Sequence, residues 1–157
     1  GFWDNPNIHP FTEFRMRRNT LVDYAKEIGL SLVVEGGYGL RPFLEAVGGD
    51  FDGRCPVCYR LRMRSAARYA AENGFTHFTT TLLISPYQNH EMLAQTAREA
   101  AEEFGVSFLY RDFRPSFREG QDRARAMGLY MQKYCGCIFS EEDRYRKRKK
   151  PPKKEEA

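Results

Sequence analysis

Short runs of β-branched and aromatic residues alternate with helical stretches closed by glycine along the whole chain, and no other feature restricts the fold as strongly. Gly1-Phe2-Trp3-Asp4 reads as the end of a strand, and Asn5-Pro6-Asn7 with His9-Pro10 reads as a turn. A helix is expected from Thr12 to Gly29, a strand over Leu30 to Glu35, and a short helix over Leu40 to Val47. Cys55 to Asn73 predicts a long helix, Phe75 to Leu82 a strand that includes His77, and Asn89 to Phe104 another helix. Val106 to Tyr110 is a strand, and Phe117 to Met127 a last helix stopped by Gly128. Strand and helix in alternation predict an α/β fold, an open parallel sheet with flanking helices. Ligands of such sheets bind beyond the carboxyl ends of the strands. The loops that matter are therefore Asp4–Pro10, Glu35–Tyr38, Leu83–His90 and Arg111–Arg118.

A chain of 157 residues, 41% of them hydrophobic, has room for one domain with a real core. No apolar run approaches the roughly 18–20 residues that cross a bilayer, and the first residues lack a signal-peptide layout. The expectation is a soluble, cytoplasmic protein with no membrane partner. The net charge of +4 is unevenly spread. Residues Arg144 to Ala157 carry eight Lys/Arg against two Glu, or +6, which leaves 1–143 at −2. The expected division is a globular domain over 1–143 and a basic, disordered tail over 144–157, in which Pro151 and Pro152 bar a continuous helix. Such a tail is either a solvated end or an electrostatic arm for a phosphate backbone.

Four cysteines form two close pairs, Cys55-Pro56-Val57-Cys58 and Cys135-Gly136-Cys137. Without a signal or cysteine density they do not suggest a secreted disulfide framework. At a helix N-terminus, Cys55 and Cys58 are expected to have lowered pKa values and to offer thiolates to a metal. The pair alone suits half a zinc site, half an iron–sulfur site or a thioredoxin-like redox pair. Cys135 and Cys137, two residues apart, are at the reach limit for a disulfide of about 7 Å between Cα atoms. A bridge there would be strained and easily reduced, so the pair is either a redox-active dithiol or two metal ligands.

Several motifs together resemble the QueH family of epoxyqueuosine reductases. They are Asn5-Pro6-Asn7-Ile8-His9-Pro10, Arg54-Cys55-Pro56-Val57-Cys58-Tyr59-Arg60-Leu61-Arg62 and Phe78-Thr79-Thr80-Thr81-Leu82-Leu83-Ile84-Ser85-Pro86-Tyr87-Gln88-Asn89-His90. Tyr110-Arg111-Asp112-Phe113-Arg114-Pro115, Phe117-Arg118-Glu119-Gly120 and Gly128 to Glu142 follow in order. The resemblance implies a HUP-type, Rossmann-like layer and the reduction of epoxyqueuosine to queuosine at the wobble position of tRNA. It also implies a 4Fe-4S cluster, a second mononuclear iron and an external electron donor. Family members begin with a strand, a Cys-Cys-Ala-Pro-(Cys or Asp) loop and a helix. The expectation is that this first strand and helix are missing here, with some cluster ligands.

The resemblance makes Cys55 and Cys58 metal ligands, and Cys135 and Cys137 a catalytic redox pair or ligands of the second iron. Opening an epoxide to an alkene and water takes two electrons and two protons, which a metal centre or a dithiol must provide. His9, His90, Tyr87 and Asp112 are candidate proton donors on strand-end loops. Substrate tRNA suggests aromatic stacking and phosphate contacts, for which His9, Tyr59, Arg60, Tyr87, His90, Asp112, Arg114, Arg118 and Lys133 are candidates. Two readings compete: a zinc-stabilised, non-enzymatic RNA-binding module, and an inactive piece of the reductase. A nucleotide-dependent transferase would want a Gly-rich phosphate loop after the first strand, and none is seen.

Overall fold

A computed structural model of the chain describes residues 1–146. Its order is β1 (Phe2–Trp3), α1 (Phe11–Glu27), β2 (Val33–Val34), α2 (Leu40–Val47), α3 (Arg54–Glu72), β3 (His77–Phe78), α4 (His90–Phe104), β4 (Ser107–Phe108), α5 (Phe117–Ala126) and α6 (Ile138–Tyr145). Turns of 3₁₀ helix occupy Thr81–Ile84 and Arg114–Ser116. The strands pair in parallel, β1 with β2 and β3 with β4, so the α/β expectation holds. Consecutive residues of a strand face opposite sides of its sheet. Phe2 stacks on Tyr69 of α3 at 4.4 Å, while Trp3 packs against Phe14 of α1. Helices therefore cover both faces of β1, as an open α/β layer requires.

The strands are shorter than the sequence pattern suggests, and the sheet is split into two pairs. After Phe78 the predicted strand leaves the ladder, because Thr80 turns its hydroxyl to accept from the Leu82 amide at 3.2 Å and starts the 3₁₀ turn. Leu30 caps α1 instead of entering β2, its amide donating to the Ala25 carbonyl at 2.8 Å. Helix α6 is additional to the expected elements and runs to Tyr145, so Arg144 and Tyr145 of the basic segment are helical. Residues 147–157, most of the tail expected to be disordered, lie outside the described residues.

The largest apolar cluster joins α3, α4 and β3 through Tyr59, Met63, Ala67, Ala70, Phe78, Leu83, Leu93 and the alanines of α4. Ala94, Ala97 and Ala101 recur at helical spacing, and their small side chains let α4 lie close on α3. Asn89 caps α4 by accepting from the Met92 amide at 3.0 Å, and Gly105 ends it in the left-handed region. This half is the rigid base for the Leu83–His90 loop. In the other half, Gly39 approaches Pro6 so closely that a Cβ would stand 2.5 Å from the Pro6 Cβ. The Gly39 amide donates to the Pro6 carbonyl at 3.0 Å, which ties the Asn5–His9 turn to the start of α2.

Leu93 is fully buried in the main cluster. Truncation to alanine is expected to cost about 2–5 kcal/mol, read as a drop in the urea midpoint at unchanged slope.

Candidate active site

The turn after β1, the N-terminus of α3, the loop before α4 and the segment before α6 meet at the carboxyl ends of the strands. Each brings a thiol or a group that binds one. Cys55 and Cys58 stand in the first turns of α3; Cys55 is exposed and Cys58 is largely covered. Asn7, itself buried, donates from Nδ2 to Cys58 Sγ at 2.8 Å. Cys135 is exposed and accepts from Gln88 Nε2 at 3.2 Å. The Gln88 carbonyl in turn accepts from the Tyr59 hydroxyl at 2.7 Å, and that hydroxyl accepts from the Asn89 amide at 3.1 Å. A continuous line of hydrogen bonds thus links α3 and the start of α4 to the Cys135 sulfur. Cys137 is buried, caps α6, and receives the Ser140 amide at 3.4 Å.

The expectation of lowered thiol pKa values at α3 is overturned. Burial pushes the Cys58 thiol up to about 12, with the facing Arg62 pulling the other way and Cys135, Cys137 and Cys55 pushing it further up. Burial raises Cys55 as well, against its neighbour Arg54. The helix N-terminus favours a thiolate by about 1 kcal/mol, and loss of solvation outweighs it. At neutral pH Cys58 is a thiol, and a metal binding there would have to displace its proton.

The Cys135-Gly136-Cys137 segment is held from behind by Arg17. Its Nε donates to Glu13 at 2.7 Å, in an ion pair about 10% exposed on either side. Its two terminal nitrogens donate to the Cys135 carbonyl at 2.8 Å and the Tyr134 carbonyl at 2.9 Å, and its guanidinium lies 5.4 Å from the Tyr134 ring centre. Tyr130 gives its hydroxyl proton to the other oxygen of Glu13 at 2.5 Å. His9 closes the arrangement from the β1 side. Its amide donates to the Gly136 carbonyl at 2.7 Å, its carbonyl accepts from the Tyr134 hydroxyl at 2.5 Å, and its Nδ1 accepts from the Ile138 amide at 3.1 Å. That acceptance leaves the proton on Nε2, aimed at the Pro6 carbonyl at 3.1 Å. Burial holds the His9 pKa down to about 4, so the ring is neutral.

His9 and Tyr59, considered above as RNA contacts, are thus 0% and 3% exposed and stand behind the cysteines. Burial raises the Tyr59 hydroxyl to about 12, which keeps it a donor. Tyr87 is 84% exposed, edge-on to Phe117 at 5.8 Å. Arg60, Arg118 and Lys133 are exposed too. Arg114 pairs with Asp112 at 2.7 Å, and its hydrogen bonds hold that carboxyl down to about 2, which removes Asp112 as a proton donor near neutral pH. His90 donates from Nε2 to the Ser85 carbonyl at 3.1 Å, and its buried Nδ1 has no partner among the described residues. Asn7, Arg17, Gln88, Tyr134 and Arg54 were not singled out from the sequence. Asn7 and Gln88 lie inside quoted motifs; Arg17 is one arginine among several on α1 and carries no local signal. Arg54 pairs with Asp143 of α6 at 2.6 Å and donates to Cys137, which fixes α6 beside α3.

A 4Fe-4S cluster takes four cysteine thiolates. Among the described residues no three His, Cys, Asp or Glu side chains converge as a metal-holding group. Placed as they are, the thiols form pairs rather than a cage, and they do not fit a cluster or a closed zinc site without further ligands or rearrangement.

Parallel strands covered on both faces, with two thiol pairs at their carboxyl ends, define a Rossmann-like thiol oxidoreductase. The family model described as "Epoxyqueuosine reductase QueH" matches residues 1–143, and the chain belongs to this family. It is similar to the QueH of Dehalococcoides mccartyi, 37% identical over 150 residues, covering 96% of this chain and 82% of the relative. The QueH of Thermotoga maritima is 34% identical over 149 residues, covering 88% and 77%. That of Helicobacter pylori is 34% identical over 152 residues, covering 89% and 41%. No helix among the described residues is long and apolar enough to cross a membrane.

Two expectations follow from this geometry. Arg17→Gln leaves Glu13 buried without its cation and should cost about 3–5 kcal/mol; Arg17→Lys keeps the charge but loses the two-carbonyl fork. In both variants Cys135 should alkylate faster than in the wild type under native conditions, and an unchanged rate would show that the fork does not hold the segment. The depressed His9 pKa makes stability depend on pH. Between its ordinary 6.5 and about 4 the unfolded chain binds a proton that the folded one refuses. Stability therefore rises with pH through that window, and about 3 kcal/mol is lost on acidification across it. Urea unfolding at a series of pH values should show this slope, and His9→Gln should flatten it.

Proposed function

We propose that the chain reduces epoxyqueuosine to queuosine in tRNA, and that Cys135 and Cys137 are the pair that turns over. The observation that carries the reading is the meeting of both thiol pairs at the strand ends of a chain belonging to the QueH family. The reaction removes the epoxide oxygen as water and leaves a carbon–carbon double bond, consuming two electrons and two protons. Oxidation of two thiols to a disulfide releases the same two electrons and two protons. An external thiol or other low-potential donor then reduces the disulfide and resets the pair.

Within this reading the chain's own groups divide their work. Exposed Cys135 faces the substrate, and the Gln88 amide steadies negative charge on its sulfur as it ionises. Cys137 waits behind it, with the Ser140 amide and the Arg54 guanidinium directed at its sulfur. Tyr87, Arg60, Arg118 and Lys133 offer exposed rings and cations of the kind that stack unpaired bases and hold phosphates. Cys55 and Cys58 are a second thiol pair of metal-binding type. Since the described donors do not converge on a cluster, no step is assigned to one.

The test is anaerobic incubation of the whole chain with tRNA bearing epoxyqueuosine and excess dithiothreitol, followed by mass spectrometry of the released nucleosides. Wild-type protein should yield queuosine, lighter by one oxygen. Cys135→Ser and Cys137→Ser should each lower the rate by about 10²-fold or more, with unchanged tRNA affinity. Conversion at the wild-type rate by either variant would remove the pair from the reaction, and no conversion by the wild-type chain would refute the activity assigned to it.

A further inference from the structure

Between the two strand pairs the sheet is open. Parallel ladders alternate, so a residue whose N–H and C=O both serve one neighbour is followed by one whose groups point the other way. Val33 donates to the Gly1 carbonyl and Glu35 to that of Trp3, both at 2.9 Å. Phe2 therefore presents its N–H and C=O away from β2. In the other pair, Ser107 donates to Thr76 and Leu109 to Phe78, again at 2.9 Å. His77 and Thr79 therefore present theirs away from β4. These two inner edges line one cleft of about 820 Å³, and no backbone partner meets them among the described residues. Phe2, Met63, Ala66 and Tyr69 form one wall of the cleft; Leu21 and Tyr24 of α1 belong to the opposite side of the sheet.

We infer that this cleft is a receptor site for one extended peptide strand, running parallel to β1 and β3 and pairing with both. Only a peptide backbone carries donors and acceptors repeating on both of its edges, which is what Phe2 on one side and His77 and Thr79 on the other call for. The walls define its side chains. A strand flanked on both faces by helices is built from Val, Ile and Leu in near-continuous run, and a charge in this cleft would lose its solvation unpaired. A second folded copy is a poor occupant, since each of its strands already has one edge engaged. Parallel entry sets the strand's carboxyl end beyond Asp4 and Thr79, on the side of the site where Asn7 holds Cys58. The occupant would thus deliver its last residues next to the thiols. This inference does not depend on the reaction proposed above.

The experiment uses a fluorescein-labelled peptide with about five Val, Leu and Ile residues between terminal lysine pairs, and the same peptide with proline at its centre. Binding to the whole chain is read by anisotropy, and its place by amide hydrogen exchange. The expected result is saturable binding, weakened about tenfold or more by the central proline, with exchange slowed at Phe2, His77 and Thr79. Ala66→Trp, which fills the cleft from α3, should abolish binding. His77→Pro, which removes one inner-edge donor but leaves the Thr76 and Phe78 pairings to β4, should weaken it. Absence of binding overturns the inference, as does equal binding of the proline peptide. Slowed exchange at Val34 or Phe108 in place of the inner edges overturns it too, because those residues face outward from β2 and β4.

Discussion

The buried ion pair between Arg17 and Glu13 is the constraint on which the arrangement of the site depends. Glu13 alone would be a carboxylate about 10% exposed, and Arg17 alone a buried cation. Together they are tolerable only because every remaining polar direction is used: Tyr130 serves Glu13, while the carbonyls of Tyr134 and Cys135 and the Gln132 amide oxygen serve Arg17. That completeness turns a pair within one helix into a fixture for a segment more than 100 residues away. Because the guanidinium is a planar fork, it holds two successive carbonyls at once and so orients the backbone that carries the thiol as well as positioning it.

Solvation decides what the thiols are. A helix start beside arginines reads as a place for thiolates, and for an exposed pair it would be. Here Asn7, Val57 and the α2–α6 cluster cover Cys58, and burial outweighs both the helix dipole and Arg62. Mutual repulsion among four thiols has the same sign, since ionising one makes it harder to ionise the next. The outcome is a graded set, with Cys135 open to solvent, Cys137 buried under a helix start, and Cys58 held protonated. A single shared environment would have made the pairs interchangeable; the different burial of each makes them distinct.

Much of this was legible in the sequence because it rests on local chemistry. The alternation of elements, the Asn89 cap, the closing glycines and the two cysteine pairs are short-range signals, and the α/β layer follows from them. The strand lengths were not legible, since Thr79 and Thr80 have strand propensity that the 3₁₀ turn overrides through a side-chain bond. Helix α6 was hidden because its eight residues carry little apolar period and its cap is a cysteine sulfur. Arg17 was hidden for a different reason. Its partners lie across the fold, and nothing distinguishes it locally from Arg15 or Arg18, which rest on Phe11 and Phe14 respectively.

The split sheet and the site are mechanically connected, and the connection runs through Asp4. Its carboxylate accepts from Ser65 of α3 at 2.5 Å and sits where any side chain at Gly36 would collide with it, a Cβ there standing 2.2 Å from Oδ1. Gly36 has φ +67°, so both its conformation and its closeness to Asp4 exclude a larger residue. Asp4 thus pins the carboxyl end of β1 to the helix that carries Cys55 and Cys58. Two residues further on, Pro6 is clasped by Gly39, and the next residue, Asn7, bonds to Cys58. A displacement of β1 relative to α3 would have to break these contacts in series before it reached the sulfur. The thiol geometry is therefore set by the strand end, and its rigidity is limited by how firmly β1, paired on one edge only, is held in the sheet.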